Sequence, residues 1–422
     1  MLRNRMLVCV TALGLATIAP AITPEVAHAC GGCFTPPNPT GTPTPVTAHR
    51  MAVALSPTET TLWDQIEYAG APEDFVWVLP IAGTSTVEIA DNGFFESLQA
   101  NTQIFLEGPP PPRTSCSDPC TAFGFGGFAS GSASPRSASE SGGMPDVEVH
   151  HEGVVGPYET ATIGAADPDA LVAWLREHDY QVPDALLPII RHYVALEMNF
   201  VVLRLRPSLN VQRMQPVRIT VPGLQTSFPL RMVAAGIDDH VALELFVLAE
   251  SRIEAANFGN AEVDRAAITY DWASSTFDYD ARFEDALFAG EGVETNWVAE
   301  FAGAADHNIG FYESFDAVTG EMHSAREDWA VATRSLPEAY LTRLRTDLPV
   351  SELDEDLGLQ MSDGGDLGTF IRVTREANRA PEPDCPTYCA VSDGTTGPGG
   401  SAVRGAGASR CSAGFGARGA SG

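Results

Sequence analysis

"TAHRMAVALSPTETTLWDQIEYAG" occupies residues 47–70 and "DFVWVLPIAGTSTVEIA" residues 74–90. Both are built of short β-branched and aromatic runs, broken at Ser56-Pro57, at Gly70-Ala71-Pro72 and at Gly83-Thr84. Runs this short, separated by turn residues, predict the strands of a meander with one buried face. Within "DFVWVLP", alternation places Phe75, Trp77 and Leu79 on that face. This reading sets the fold class as α+β: strand-rich, with antiparallel sheets and a few short helices.

Working outward, Asp91-Asn92-Gly93 caps a short helix, "FFESLQANT". From Gly108 to Pro145 the chain is dominated by Gly, Ser and Pro, which bury too little apolar area to offset the entropy of ordering them, so a mobile insertion is expected at 108–145. Strand-like sequence resumes at "DVEVHHEGVVGPYETATIGA". In "DPDALVAWLREHDY", Asp167 serves as N-cap and Pro168 as the first helical residue, with Leu171, Trp174 and Leu175 on one face. A second helix runs from about Pro188 to Leu196. Strands follow at "FVVLRLRP", "VRITVPG", "PLRMVAA" and "HVALELFVLAE", then a helix at "AREDWAVA" and a strand at "AYLTRLR". The division is a signal segment at 1–29, a Pro-rich leader at 30–46, strand-rich α+β structure at 47–375 and a disordered Gly-rich tail at 376–422.

The N-terminal order is Arg3 and Arg5, an apolar run from about Leu7 to Ile22, then Ala27-His28-Ala29. That is a secretory signal peptide with cleavage expected before Cys30. A membrane span is the alternative, but the run is short and holds Gly14 and Pro20. Lipidation of Cys30 would instead tether the chain to a membrane, although Ala27 stands where a large aliphatic residue is preferred. The expected location is periplasm, cell surface or extracellular space.

Acidic residues outnumber basic ones 55 to 25, for a net charge of −30. Such a chain repels phosphate backbones, so nucleic acid is not an expected partner. Every basic residue is arginine, which excludes a Schiff-base lysine, a P-loop lysine and a Ser-Lys dyad.

Cys30 and Cys33 form a CxxC, but Pro36, Pro37, Pro39, Pro43 and Pro45 preclude the helix whose N-terminus would activate a thiolate. Further pairs are Cys116 with Cys120 and Cys385 with Cys389, leaving Cys411 alone and Cys9 in the signal segment. Two pairs, for instance Cys30, Cys33, Cys116 and Cys120, could hold tetrahedral zinc. In an exported chain these thiols are expected to be disulfides, with connectivity open and a preference for tying the insertion to the leader.

His150 and His151 are neighbours, so on a strand they face opposite sides and cannot jointly grip one metal ion; Glu152 adds a possible ligand, but a solvated strand end is expected. The hydrolase, zincin and nucleotide-binding signatures are absent. "YDWASSTFDYDARFED" interleaves Asp271, Asp278, Asp280, Glu284 and Asp285 with aromatic residues. Asp278 and Asp280 could flank a glycosidic bond as acid and base, although strand alternation on an acidic surface gives the same pattern. Asp354, Asp356, Asp363 and Asp366 offer oxygen ligands for calcium without EF-hand spacing, so a polar turn is expected. No cofactor is expected, with zinc and calcium as the alternatives.

"ACGGC" and "YAGAPEDFVWVLPI", followed by "VGPYETATIGAADPDALVAWLREHDYQVP", "FPLRMVAA" and "YLTRLRTDL", resemble an uncharacterised family of exported bacterial proteins, domain of unknown function 2330. The resemblance rests on Asp74, Phe75, Trp77 and Pro80, on Pro157, Tyr158, Trp174 and Leu175, and on Pro229, Leu230, Arg231, Thr342 and Arg343. It implies no activity. Some relatives end in a hydrophobic anchor; here a Gly-rich segment reaches Gly422 with no apolar run. The expected function is binding or structural contact with an envelope or extracellular partner. The alternative is hydrolysis of carbohydrate or another envelope polymer.

Overall fold

The computed structural model describes residues 32–34, 46–68, 76–111, 148–164, 167–177, 182, 184–206, 215–236, 240–290 and 295–379. The signal segment, most of the leader, the insertion beyond residue 111, the tail beyond residue 379 and every cysteine except Cys33 lie outside them. So does Phe75. No helix among the described residues is long and apolar enough to cross a membrane.

Strands β2 (Val46–Leu55) and β3 (Glu59–Tyr68) form the central hairpin, with Ala52 opposite Trp63 and Met51 opposite Asp64. Its turn is closed by Ser56, whose hydroxyl donates to the Glu59 carbonyl at 2.8 Å and accepts from the Glu59 N–H at 3.1 Å. The chain does not continue as a meander. β4 (Val76–Ile81) leaves for a second sheet, where it pairs with β1 (Gly32–Phe34) and β8 (Asn199–Leu205). After Gly83, which turns the chain at a φ of +69°, β5 (Thr86–Ile89) returns to the first sheet. The physical reason is that these strands are apolar on both faces. Met51 and Leu62 join one core, Ala52 and Trp63 another, and Trp77 and Val78 are likewise divided.

Among the described residues the second sheet has five strands, in the order β1-β4-β8-β7-β6, with β6 at Glu148–Val155 and β7 at Tyr158–Gly164. The first has eight, in the order β11-β12-β13-β10-β2-β3-β9-β5. Here β9 is Val217–Pro222, β10 His240–Ala249, β11 Gly259–Glu262, β12 Asn296–Ala304 and β13 Tyr340–Pro349. Most neighbours are antiparallel, but β10 runs parallel to β2, and β11 to β12.

The two sheets face one another across the largest core, which unites Met51, Leu62 and Leu245 with Trp77, Tyr158 and Leu203. Helices α2 (Pro168–Glu177) and α3 (Leu187–Ala195) cover the other face of the five-stranded sheet, with Leu171, Leu175 and Ile190 packed on Val78, Phe200 and Val202. Helices α1 (Asn92–Thr102) and α5 (Arg326–Thr333) cover the other face of the eight-stranded sheet, with Phe94, Phe95 and Trp329 packed on Ala52, Trp63 and Phe246. The result is four layers, helix-sheet-sheet-helix. α4 (Tyr279–Leu287) adds a smaller cluster against Val298.

The α2 start agrees with its sequence, the Asp169 N–H bonding the Asp167 side chain at 3.0 Å. "PLRMVAA" is a correction: Leu230–Gly236 is a 3-10 helix, not a strand. Leu230 and Val233, three apart, both enter the inter-sheet core, which suits three residues per turn. Trp77 is buried at 3% exposure, while Trp174 is only half-buried at the edge of its cluster.

Candidate functional site

The facing sheets do not close completely at one end. A cavity of about 260 Å³ lies there, floored by Leu62, Ile219 and Val221 of the large sheet and roofed by Leu79, Pro80 and Ile81 of β4. Leu196 and Met198, at the end of α3, close one side. Its polar groups are few and mostly engaged. Thr60 donates to the Gly223 carbonyl at 3.0 Å and accepts from the Gln225 N–H at 2.8 Å. Asp356 accepts from the Tyr193 hydroxyl at 2.5 Å and the Arg231 N–H at 3.3 Å.

A second, inner cavity of about 30 Å³ adjoins it, and both are bounded by Leu62, Leu79, Phe228 and Pro229. Its walls are apolar except for His49, Asp64 and the Trp77 indole. Strand register explains the meeting. Asp64 stands opposite Met51 and His49 opposite Ile66, so the two are diagonal neighbours on the inward face of the hairpin. His49 Nε2 is hydrogen-bonded to Asp64 Oδ1, with the residues 4% and 3% exposed. Burial pushes the Asp64 carboxyl up from its ordinary value, and His49 opposes that shift. His49 Nδ1 and Trp77 Nε1 are buried with no hydrogen-bond partner among the described residues.

The opposite face of the same strands carries a different buried knot. Arg218, across from Trp63, donates to Asp328 Oδ1 at 2.7 Å, and the Trp63 indole N–H donates to the same oxygen at 2.8 Å. The Asp91 N–H donates to Asp328 Oδ2 at 2.9 Å, and Arg218 reaches Glu88 and Glu327 at 3.1 and 3.2 Å. This knot clamps α5 and the start of α1 to the sheet. A third network joins Arg343 to Glu244 at 2.6 Å and Arg345 to Glu300 at 3.1 Å, with the Tyr279 hydroxyl on Glu300 at 2.7 Å.

The aspartates singled out from sequence serve local structure. Asp278 accepts from the Thr269 N–H through one oxygen and from Arg282 at 2.8 Å through the other. Burial pushes its carboxyl up, but the Thr269 N–H and the Arg282 guanidinium outweigh that and hold it below its ordinary value. Asp280 is exposed in the first turn of α4, and Arg282 also binds Asp285 at 2.8 Å. Asp271 closes a turn through the Ala273 N–H at 2.7 Å, while Tyr270, Phe277 and Phe283 pack into the α4 cluster rather than forming an open platform. Of the proposed calcium ligands, Asp356 and Asp366 accept from different tyrosines, Tyr193 and Tyr340, and Asp354 and Asp363 are exposed. Among the described residues no three His, Cys, Asp or Glu side chains gather as a metal-binding set. Cys33 stands opposite Trp77 in register; the other cysteine candidates lie outside the described residues. The register slips between Val149 and His151, so strict alternation does not hold at the histidine pair.

The inward His49–Asp64 pair and the Arg218–Asp328 knot were not among the sequence candidates. The available signal was parity: Asp64 shares its strand face with Leu62, and Arg218 interrupts the run "VRITV". Several residues carrying the family resemblance meet here, since Trp77, Pro80, Pro229 and Leu230 line the two cavities.

Fold and cleft together define a four-layer α+β protein with a narrow apolar cleft between apposed sheets. Residues 24–360 match the family described as an uncharacterized protein conserved in bacteria, domain of unknown function 2330, and the chain belongs to that family. No curated protein and no solved structure matches it.

Proposed function

We propose that this is an exported protein of the bacterial envelope or exterior that acts as a binding module, taking an apolar small molecule or acyl chain into the cleft between its sheets. The observation that carries the reading is the 260 Å³ cavity with its aliphatic floor and roof and its few polar edge groups. Concave, mostly apolar spaces with a few placed polar groups are what small-molecule sites consist of. The carbohydrate-hydrolase alternative draws on Asp278 and Asp280, and their placement lends it no support: the first is held by Thr269 and Arg282, the second is exposed. Export rests on the basic, apolar and Ala-x-Ala order of the first 29 residues.

The test of binding is titration with the neutral fluorophore N-phenyl-1-naphthylamine. The parent is expected to enhance its emission saturably at one site, and Val221→Trp, which fills the cleft, to abolish that with an unchanged melting temperature. Absence of saturable binding, or binding untouched by Val221→Trp, would refute the reading. Export is checked by N-terminal sequencing from the envelope fraction, where the chain should begin at Cys30; a chain still beginning at Met1 would refute it.

A further inference from the structure

Resting on the cleft reading above, we propose that the inner cavity is a polar subsite that grips the oxygen of a neutral carbonyl group carried by the apolar ligand, as in a ketone, ester or amide. Two residues that line this space, Trp77 and His49, each carry a buried ring nitrogen, Nε1 and Nδ1, with no hydrogen-bond partner among the described residues. The indole can only donate. The imidazole is constrained by its neighbour. His49 Nε2 is committed to Asp64, and both residues are at least 96% buried, being 4% and 3% exposed. A buried pair is least costly at zero net charge, whether as imidazolium with carboxylate or as neutral imidazole with carboxylic acid. In both forms the proton count places a hydrogen on Nδ1. The subsite therefore offers two N–H donors beside the second oxygen of Asp64, and a carbonyl oxygen has two lone pairs to receive the donors.

The surroundings narrow the class further. No arginine lines the inner cavity, and the chain carries a net charge of −30, so a carboxylate or phosphate would enter without a balancing cation. The Tyr158 hydroxyl is already spent on the Gln215 carbonyl at 2.7 Å. The remaining walls, among them Met51, Leu230, Met232 and Val233, are apolar. A space of about 30 Å³ admits a single small group, and the larger cavity next to it takes the hydrocarbon body.

The experiment compares heptan-2-one with n-heptane on the full mature chain. Indole N–H resonances are followed by ¹H–¹⁵N correlation spectra, Trp77 being assigned with Trp77→Phe, and affinities are measured by calorimetry. The ketone is expected to shift the Trp77 indole proton downfield and to bind about tenfold more tightly than the alkane, as two modest hydrogen bonds would provide. His49→Leu should erase most of that preference while the alkane still binds, which keeps the comparison decisive if Trp77→Phe folds poorly. Equal binding of both compounds with an unmoved Trp77 resonance would overturn the carbonyl subsite and leave the cleft reading standing. Binding of neither would overturn both.

Discussion

Asp328, on α5, is held from three other parts of the chain at once, and its cost of removal follows from what it leaves behind. Burial pushes its carboxyl up, while the Asp91 N–H, the Trp63 indole and Arg218 pull it back. Asp328→Ala would leave the buried Arg218 guanidinium with only the solvent-exposed Glu88 and Glu327, and losing the buried partner of such a pair costs up to about 3–5 kcal/mol. Urea unfolding should show that loss, and the double substitution Arg218→Met with Asp328→Leu should recover most of it; a single variant as stable as the parent would show that the knot contributes nothing. Asp278 gives the opposite pH signature. Its folded pKa is depressed, so its stabilisation is present above the unfolded value of 3.8 and lost as pH falls through the folded value. Asp278→Asn should lower the melting temperature by a few degrees at neutral pH, and the gap should close toward pH 3. A gap constant across pH would mean the carboxylate charge is not what Thr269 and Arg282 recognise. The Asp328 pairing was not legible in the sequence, because it depends on which residue lies across a strand or under a helix, whereas Asp278 and Arg282 stand only four residues apart at the start of α4.

Elements with their own punctuation were legible. The α1 N-cap is Asp91, whose Oδ1 accepts from the Gly93 N–H at 2.8 Å, and the same oxygen also takes the Ser324 N–H at 2.9 Å. That second bond brings the chain of residue 324 against the helix, and it changes what Gly93 means. Alanine is worth roughly 1 kcal/mol more than glycine inside an exposed helix. Here an added Cβ would sit 2.6 Å from the Ser324 backbone nitrogen, a contact that only movement of the main chain relieves. Gly93→Ala is therefore expected to destabilise by about 1–3 kcal/mol, in the range of overpacked cores. Chemical unfolding decides it, and a stabilised variant would place the backbone at Ser324 further away. By contrast, "PLRMVAA" reads as a strand because its residues are apolar, and only the spacing of Leu230 and Val233 betrays a turn of three. The path of β4 was equally hidden. Trp77 and Leu79 on one face and Val78 on the other show that both sides are covered, but not that a separate sheet does the covering.

At the scale of the whole molecule, 55 acidic residues against 25 arginines set repulsion across the surface against pairing within the fold. The strongest pairs are sheltered: Arg218 with Asp328 and Arg343 with Glu244 are largely buried, whereas Arg372 with Glu107 and Arg176 with Asp184 are open to solvent. Salt screens exposed charges over about 10 Å at 0.1 M and acts much less on buried ones. Exposed pairs are individually worth little, about 0–1 kcal/mol. Raising ionic strength should thus remove more repulsion than attraction, because the net charge of −30 is summed over the surface while the surviving ion pairs lie inside. The melting temperature is expected to rise by several degrees between about 20 mM and about 500 mM sodium chloride, a salt chosen over sulfate because sulfate also strengthens apolar burial. Arg218→Met with Asp328→Leu should show the same rise, since its buried pair was never screened. A melting temperature that falls with chloride would mean that surface ion pairs, not the sheltered knots, carry the electrostatic stability of the four layers.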